Sequence, residues 1–562
     1  MRKRIALLLI VSTAILGLSA CGNGEKNQTQ AGEGQAAEEQ ADEALDSGGQ
    51  VSAETETGKE PVELTVFING LENPSDWEWG QDPSSQKITE DTGVTFKLQY
   101  ASDIDNTEIM TMLASGEELP DIIVTNAHGA VRPMLVDQGF VQPLNKLADE
   151  YCPEFWDVLP ADMDKVYQEN DGNFYCVVDW YGDENKYNDQ ILNSRGSVSM
   201  TIKKEYLEEI GRPQIKTLDD YQAAIEAIME KHPEIRNPIW DEDPNNPWNA
   251  VSLLNVFARM HGATNNFFDF KDGKVQMVFQ ADYYKDALKE YNKLYRAGLI
   301  NPEQYAYKAD QKKGIYAAQD LAAFNGYYWN LLEGMNIFDE VVYETIEFPM
   351  PEGRTQEQMK IHDDYYAIGT TGVFVTKDTA YPDRCIQYIT YMMGLDGQLL
   401  QRYGREGVTW EKDEEGRPKS TELKNKVEKE DFAKLQREYG VYNYDFSWFT
   451  SQWILAYGAH NTYQDFPAML PDFEIMTPHQ QNERFADLTY TLKDTEALAL
   501  KEQIYQLWAS GVARICTTES DQDFENEYEK FLSDMQTAGV ETLNTYYQEN
   551  AEHWKEVGFV ME

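Results

Sequence analysis

The side chains that could carry chemistry in this 562-residue sequence are carboxylates and aromatic rings, because the motifs for other catalytic groups do not occur. The seven histidines form no HxxxH pair, the cysteines form no CxxC cluster, and there is no GxSxG nucleophile motif. Paired carboxylates can act as general acid and base. With 98 Asp and Glu residues, however, such pairs arise everywhere by chance, and none of them indicates a catalytic site.

Cys21 stands in a context that predicts acylation. A basic segment at residues 2–4 precedes an apolar run over 5–18, which is about half the length that spans roughly 30 Å of hydrocarbon and is typical of a signal peptide over residues 1–20. The motif LSAC that ends at Cys21 is similar to the lipobox of bacterial lipoproteins, in which the cysteine thiol receives a lipid and becomes the new N-terminus. We expect Cys21 to carry a lipid anchor that contains a palmitate chain. The alternative is an ordinary secretory signal with a chance cysteine.

The next segment, residues 21–60, is rich in Gly, Gln, Ala, Ser and Glu and has almost no large apolar side chain. Such a composition cannot offset the entropy of ordering, so we expect a disordered tether with an r.m.s. reach of about 35 Å. The remaining chain of about 500 residues exceeds the usual size of one domain and predicts at least two lobes.

The charge balance narrows the choice of partners. The 98 acidic residues outnumber the 48 basic ones, for a net charge of −50, which repels nucleic acid and anionic membrane surfaces. We expect no nucleic-acid partner and contact with the membrane through the lipid anchor only. Neutral ligands are favoured unless the site supplies local Lys or Arg. Whether Cys152 and Cys176 form a disulfide is left as an open question, since their spacing neither supports nor excludes one.

The body alternates apolar strand-like runs with amphipathic helices, which indicates an α/β fold. Strands are predicted at 62–68, 93–100 and 121–126, and Thr217 opens a helix with a capping box. Aromatic residues recur at helical spacing over 524–535, a pattern typical of packing rather than of a cofactor site.

Residues 113–129, LASGEELPDIIVTNAHG, resemble a segment of extracellular solute-binding proteins of carbohydrate ABC importers, the group related to maltose-binding protein and to larger lipoproteins near the alginate-oligosaccharide binders. Seven further segments follow in that family's order, among them GFVQPLNKLADEYCP at 139–153, FNGYYWN at 324–330, and a long segment at 367–411 that includes GREGVTWE. The resemblance covers essentially all of residues 61–562.

This resemblance implies a type II two-lobe clamshell of the periplasmic-binding-protein kind, with three crossings between the lobes and the ligand in the cleft. The first α/β lobe would comprise 61–180 and 365–405, and the second 197–362 and 406–562 with a helical C-terminal segment. The implied function is the binding of a sugar or oligosaccharide and its delivery to ABC permease subunits. The protein would be a monomer without enzymatic activity or cofactor, held by its lipid on the extracellular face of the bacterial cell membrane.

Sugar sites combine aromatic platforms, which cover the apolar face of a ring, with carboxylates and amides that bond its hydroxyls. Trp329 is the first candidate, since it matches the position after a second-lobe strand where the family has a stacking tryptophan. His128 and His261 are expected to be structural or surface histidines. The residues that fall in predicted loops, and that we expect to contact ligand, are Glu72, Trp77, Asn126, Asp179, Trp180, Trp248, Tyr328, Trp329, Glu406 and Trp410.

One departure from the larger relatives concerns their EF-hand-like calcium loop. Asp241, Asp243 and Asn245 occupy the first, third and fifth positions of such a loop. Asn246 replaces the glycine of position six, however, and Ser252 replaces the glutamate of position twelve. We therefore expect no calcium and no other metal in this chain.

Two other functions remain open at this point. A protein of the same fold can bind a peptide, a lipid or a polyanion in place of a sugar. A secreted hydrolase or lyase acting on carbohydrates is the second, although no catalytic signature supports it.

Overall fold

The structure, a computed structural model, describes residues 59–69, 77–101, 106–179, 181, 198–271, 273–335, 340–362, 371–414, 416–443, 469–481 and 492–556. The predicted signal peptide, Cys21 and nearly all of the predicted tether lie outside these residues, as do the candidates Glu72 and Trp180. Trp329 lies in a described helix, but its side chain is outside the description.

The described strands form two main sheets and three small ones. In chain order the strands are β1 Val62–Ile68, β2 Val94–Tyr100, β3 Ile122–Asn126, β4 Val177–Val178, β5 Val198–Lys203, β6 Asn237–Asp241, β7 Phe268–Lys271, β8 Lys274–Met277, β9 Leu321–Tyr327, β10 Tyr343–Thr345, β11 Ile361–His362, β12 Thr371–Val375, β13 Trp410–Lys412, β14 Pro418–Ser420 and β15 Gln480–Gln481.

The first main sheet has the order β2-β1-β3-β12-β4. Strands β1, β2 and β3 are parallel, whereas β12 runs antiparallel to both β3 and β4. The second has the order β10-β5-β9-β6, with β6 parallel to β9 and the other pairs antiparallel. The small sheets pair β7 with β8, β11 with β15 and β13 with β14. Strand β12 follows all four strands of the second sheet in the sequence, so the chain returns to the first sheet after passing through the second.

The described helices cover the faces of these sheets and build the C-terminal part. They are α1 Pro83–Thr92, α2 Thr107–Ser115, α3 Val131–Asp137, α4 Leu144–Tyr151, α5 Phe155–Val158, α6 Met163–Val166, α7 Lys204–Glu209, α8 Leu218–Lys231, α9 Leu253–His261, α10 Asp282–Arg296, α11 Ala309–Ala318, α12 Tyr328–Met335, α13 Pro382–Met393, α14 Leu395–Tyr403, α15 Glu422–Glu430, α16 Phe432–Tyr439, α17 Leu470–Met476, α18 Thr495–Cys516, α19 Asp521–Ala538 and α20 Val540–Glu556.

Local sequence signals account for several of these elements. The three predicted strands are present as β1, β2 and β3, and the capping box predicted at Thr217 is present at the start of α8, where Thr217 Oγ1 accepts a bond from the backbone of Asp220. The aromatic stripe of α19 is buried, as its spacing predicts. The α/β class is thereby confirmed.

The C-terminal helices pack on one another and on elements within residues 274–296. Helix α18 contacts α10, and α20 contacts β8. Helices α18 and α19 approach closely at Gly511, where a Cβ atom would lie 2.3 Å from the ring of Phe531. Within the described part of the chain, no helix is long and apolar enough to cross a bilayer. The four described cysteines are free thiols and buried, so Cys152 and Cys176 are not bridged in this structure.

The segment 405–443 contacts helices that cover the first sheet. Arg405 forms a bidentate ion pair with Glu90 of α1, at 2.9 and 3.1 Å, and Ser84 Oγ donates to the carbonyl of Tyr439 at 3.0 Å. The predicted lobe boundaries, which assign this segment to the second lobe, stay a prediction.

Candidate ligand-binding site

Two of the predicted site residues lie at one edge of the first sheet, on either side of Thr371 in β12. Asn126 ends β3 and is paired with Thr371, the first residue of β12. Asp179 follows β4, and its carboxylate accepts the backbone N–H of Thr371 at 2.8 Å, while its own N–H donates to the Thr371 carbonyl at 3.0 Å. Asn126 is exposed, and its amide oxygen accepts the N–H of His128 at 2.7 Å. This edge is where parallel strands end, the usual place for ligands in α/β sheets.

The matching edge of the second sheet carries the FNGYYWN segment. Strands β6 and β9 are parallel and end together, with Asp241 paired to Asn325. Helix α12 follows β9 directly, so Trp329 belongs to the first turn of a helix at this edge, as its position after a strand predicts. The chain passes from Asp179 at the first edge to Val198 at the second, because β5 begins opposite Tyr327.

Glu242 is a residue of this second edge that the sequence reasoning missed. Its Oε2 atom accepts the backbone N–H of Tyr327 at 2.8 Å, and its Oε1 atom accepts the side-chain amide of Asn330 at 2.5 Å. Burial raises the pKa of the Glu242 carboxyl to about 7 against the opposing effect of these bonds. The sequence analysis predicts no strand before Glu242, and carboxylates are so numerous in this acidic chain that its position carried no signal.

The acidic residues of the degenerate calcium loop have protein donors as partners. Asp241 Oδ1 accepts the N–H of Leu253 at 3.1 Å, and its Oδ2 accepts the hydroxyl of Tyr291 at 3.2 Å. The Asp243 carboxylate accepts the side-chain amides of Asn246 and Asn249 at 2.8 to 2.9 Å. The Asn245 side-chain amide donates to the carbonyl of Tyr305 at 3.0 Å. Among the described residues, no group of three His, Cys, Asp or Glu side chains is arranged to hold a metal ion.

Three aromatic candidates are packed in the interior of this structure. Trp77 is 7% exposed, and its indole N–H donates to Asp82 at 3.1 Å. Trp410 is 4% exposed and donates to the carbonyl of Gly404 at 2.7 Å. Tyr328 is fully buried against Phe473. Rings enclosed in this way have no free face, so none of the three is available to a ligand here.

Trp248 and Glu406 differ from those three. Trp248 is half-buried and lies five residues before α9, and its ring packs on Tyr505 and Trp508 with centroids 4.6 and 5.4 Å apart. Glu406 is exposed and pairs with Lys412 at 3.4 Å. Its neighbour Arg405 is bound to the last turn of α1, which lies toward the opposite edge of the first sheet. Glu406 is therefore not brought together with Asn126 and Asp179.

A buried polar network lies on and beside α3, which follows β3. His128 Nε2 is bonded to the hydroxyl of Tyr167 at 2.7 Å, and burial with the nearby charges of Arg132 and Lys501 holds the pKa of His128 well below its ordinary value. Arg132 is paired with Glu169 at 2.7 Å. The prediction that His128 is a structural or surface histidine agrees with these contacts.

A cavity of about 1090 Å³ opens next to this network, between residues 133–175 and the segments 492–496 and 546–553. The half-buried Tyr175 and Tyr546, amide side chains and several carboxylates line it, Lys493 being a basic exception. These groups can hold a polyhydroxylated ring, and the volume is near the upper end of ordinary ligand sites. None of the seven predicted site residues whose side chains the structure describes lines this cavity.

Two α/β sheets, each with polar residues at the edge where its parallel strands end, are the architecture of a two-lobe solute-binding protein. The family of bacterial extracellular solute-binding proteins matches residues 85–402, more than half of the chain, and the chain belongs to this family.

Two relatives give the resemblance in sequence. The lipoprotein LipO of Bacillus subtilis (strain 168) is 24% identical over 262 residues, which cover 44% of this chain and 46% of LipO. FusA of Streptococcus pneumoniae, a fructooligosaccharide ABC transporter substrate-binding protein, is 26% identical over 266 residues, which cover 42% of this chain and 46% of FusA. The chain thus matches about half the length of each relative.

Solved structures extend the likeness in fold over most of the chain. FusA in complex with kestose superposes with a TM-score of 0.67 at 16% identity, covering 88% of this chain and all of FusA. An HMO-binding solute-binding protein from Bifidobacterium longum infantis gives the same TM-score at 15% identity, covering 88% of this chain and 99% of that protein. The two-lobe solute-binding fold expected from the resemblance is confirmed.

Proposed function

We propose that this protein is the binding component of an ABC importer, that it takes a neutral oligosaccharide between the two sheet edges, and that the lipid on Cys21 holds it at the outer face of the cell membrane. The observation that carries the proposal is the pair of strand-end edges. Asn126 and Asp179 supply hydrogen-bonding groups at one, and Glu242 and the first turn of α12 lie at the other. Closure of two lobes over a ligand would bring such edges together.

The net charge of the chain and its sequence relatives support a neutral oligosaccharide as the ligand. The net charge of −50 disfavours polyanions, and the related FusA is a fructooligosaccharide-binding protein. The related LipO is a lipoprotein, which agrees with the LSAC motif at Cys21. The family consists of solute-binding proteins, and we propose no catalysis for this chain.

The test is a thermal-shift screen followed by calorimetric titration of the purified body, residues 59–562. A ligand that binds only the folded state raises the melting temperature as its concentration exceeds Kd. We expect a rise with a neutral oligosaccharide, with kestose as the first probe, and none with alginate oligosaccharide or oligopeptides. A rise with a polyanion or a peptide alone would overturn the choice of sugar, and turnover of the probe would overturn the binding-only assignment.

A pair of variants then distinguishes the sheet edges from the neighbouring cavity. If the ligand lies at the edges, Trp329→Ala weakens binding by roughly 1 to 3 kcal/mol, the scale of one large side chain's apolar contact, and Tyr175→Ala has little effect. If the ligand occupies the cavity lined by Tyr175, Tyr175→Ala weakens binding by this amount and Trp329→Ala has little effect. Trp156→Ala is the control, because Trp156 is exposed on α5 and belongs to neither place.

A further inference from the structure

Glu242 connects three elements at the second sheet edge. Its backbone N–H donates to the carbonyl of Asn325 in β9 at 3.1 Å, and its carbonyl accepts Lys312 Nζ of α11 at 2.9 Å. Its carboxylate spans the junction from β9 to α12, with one oxygen on the N–H of Tyr327 and the other on the side chain of Asn330. Trp329 lies between these two contacts in the sequence.

Gly326 makes room for this carboxylate. A Cβ atom at Gly326 would lie 2.1 Å from Glu242 Oε2 and 2.6 Å from the ring of Phe324. The backbone of Gly326 is not in the left-handed region, so the glycine is required for space rather than for conformation. The glycine of FNGYYWN therefore has a physical partner 84 positions earlier in the chain, which the sequence pattern does not show.

The surroundings of the carboxylate leave its charge poorly compensated. The charged or titratable groups that face it are Lys312 and Tyr316 of α11 and Asp243 of its own loop. Lys312 favours the ionised form, Asp243 opposes it, and burial outweighs both. The N–H of Tyr327 can only donate, so protonation places the carboxyl O–H on the oxygen that faces Asn330, where two donor groups then oppose each other.

We propose that Glu242 is a positioning residue of the binding site: it fixes the first turn of α12, and with it Trp329, through its two hydrogen bonds, and it loses this hold when it is protonated. The inference rests on the proposed function for its link to ligand affinity, but the hold on the junction can be measured without any ligand.

The first arm compares Glu242→Gln and Asn330→Ala with Glu303→Gln by hydrogen exchange on the ligand-free protein. Glu303 is the control for the loss of one charge, because it is exposed and does not contact the junction. Glutamine places an N–H₂ group where one of the two acceptor oxygens stood. We expect faster exchange in peptides covering 325–331 in the first two variants, unchanged protection over 321–324, and wild-type behaviour in the control. Unchanged exchange over 325–331 in both variants would overturn the proposal.

The second arm measures affinity for kestose. Loss of one hydrogen bond to a charged group corresponds to about 1.5 kcal/mol, or roughly a tenfold increase in Kd, for Glu242→Gln and for Asn330→Ala. Because both variants break the same contact, the double variant should lose little more than either single one. Loss of this bond also lowers the free energy of unfolding, so affinities are compared in the absence of urea, where circular dichroism shows each variant to be fully folded. Faster exchange with unchanged affinity would show that the junction does not position the ligand.

The third arm is a pH profile of the Kd for kestose between pH 5.5 and 8.5. Wild-type affinity is expected to weaken as the pH falls through about 7, whereas Glu242→Gln should be flat over the same range. Parallel profiles for the two proteins would overturn the protonation part. If the wild type binds no saccharide at all, the proposed function fails, and the exchange arm still decides whether Glu242 holds the junction.

Discussion

Replacing Trp77 with phenylalanine tests whether this residue belongs to the core or to the ligand site. In the structure its ring is 7% exposed, and its indole N–H is one of the donors to the Asp82 carboxylate, at 3.1 Å. Asp82 is fully buried and also accepts the N–H groups of Ser84 and Ser85 at 2.8 and 2.9 Å and the Ser85 hydroxyl at 2.6 Å. Burial raises the pKa of Asp82 despite these bonds, so each donor helps to hold its charge at the N-terminus of α1.

Phenylalanine keeps most of the apolar volume but removes one donor from a buried carboxylate, which costs about 1.5 to 3 kcal/mol of unfolding free energy. Trp77→Ala also leaves a cavity and should cost about 3 to 5 kcal/mol. Trp156→Phe is a matched control, because Trp156 donates to Asp149 at 3.0 Å but is 39% exposed, and its loss should cost less than about 0.5 kcal/mol.

Urea unfolding followed by circular dichroism gives the stability of each variant, and calorimetric titration with the saccharide found in the screen gives its affinity. We expect Trp77→Phe to unfold at lower urea and to bind like the wild type. The reasoning is refuted if Trp77→Phe is as stable as the Trp156→Phe control while its affinity falls, since Trp77 would then be a platform for the ligand.

Three further predictions follow from other parts of the molecule. Burial raises the pKa of Asp241 to about 7, so the folded chain keeps a proton that the unfolded chain loses above about pH 4, and stability falls as the pH rises. The free energy of unfolding of the wild type minus that of Asp241→Asn, from urea melts, should be roughly 2 kcal/mol larger at pH 5 than at pH 7.5. The same difference at both pH values would contradict a raised pKa for Asp241. Cys21→Ser should release the protein from cell membranes or leave the signal peptide uncleaved, judged by fractionation; unchanged retention would exclude the lipid anchor. Saturating saccharide should lower the radius of gyration in solution scattering, and an unchanged radius with a tight ligand would argue against lobe closure.

Local patterns made some parts of the fold predictable. The β1, β2 and β3 runs, the Thr217 capping box and the buried stripe of α19 depend on neighbours within a few residues, so the sequence alone shows them. The position of Trp329 directly after a strand was implied by the family resemblance of the FNGYYWN segment, and β9 does end at Tyr327.

The roles of individual aromatic residues were not predictable in the same way. Trp77, Tyr328 and Trp410 stand in segments that look like loops, yet each is enclosed by packing. Trp410, for example, is buried against Leu399 and Tyr403 of α14. A tryptophan's local sequence is the same whether its ring faces solvent or a neighbouring helix, so burial appears only once distant segments have been packed.

The sequence by itself determined the α/β class, the acidic composition and the membership of a solute-binding family, because these depend on composition, short periodicities and ordered motifs. Only the tertiary structure decided which polar groups meet. Glu242 reaches Tyr327 and Asn330, which lie 85 and 88 positions away, and the space for its carboxylate exists because residue 326 has no side chain. Such contacts are set by the parallel pairing of β6 with β9, and a pairing between strands so distant in the chain leaves no periodic signal in either one.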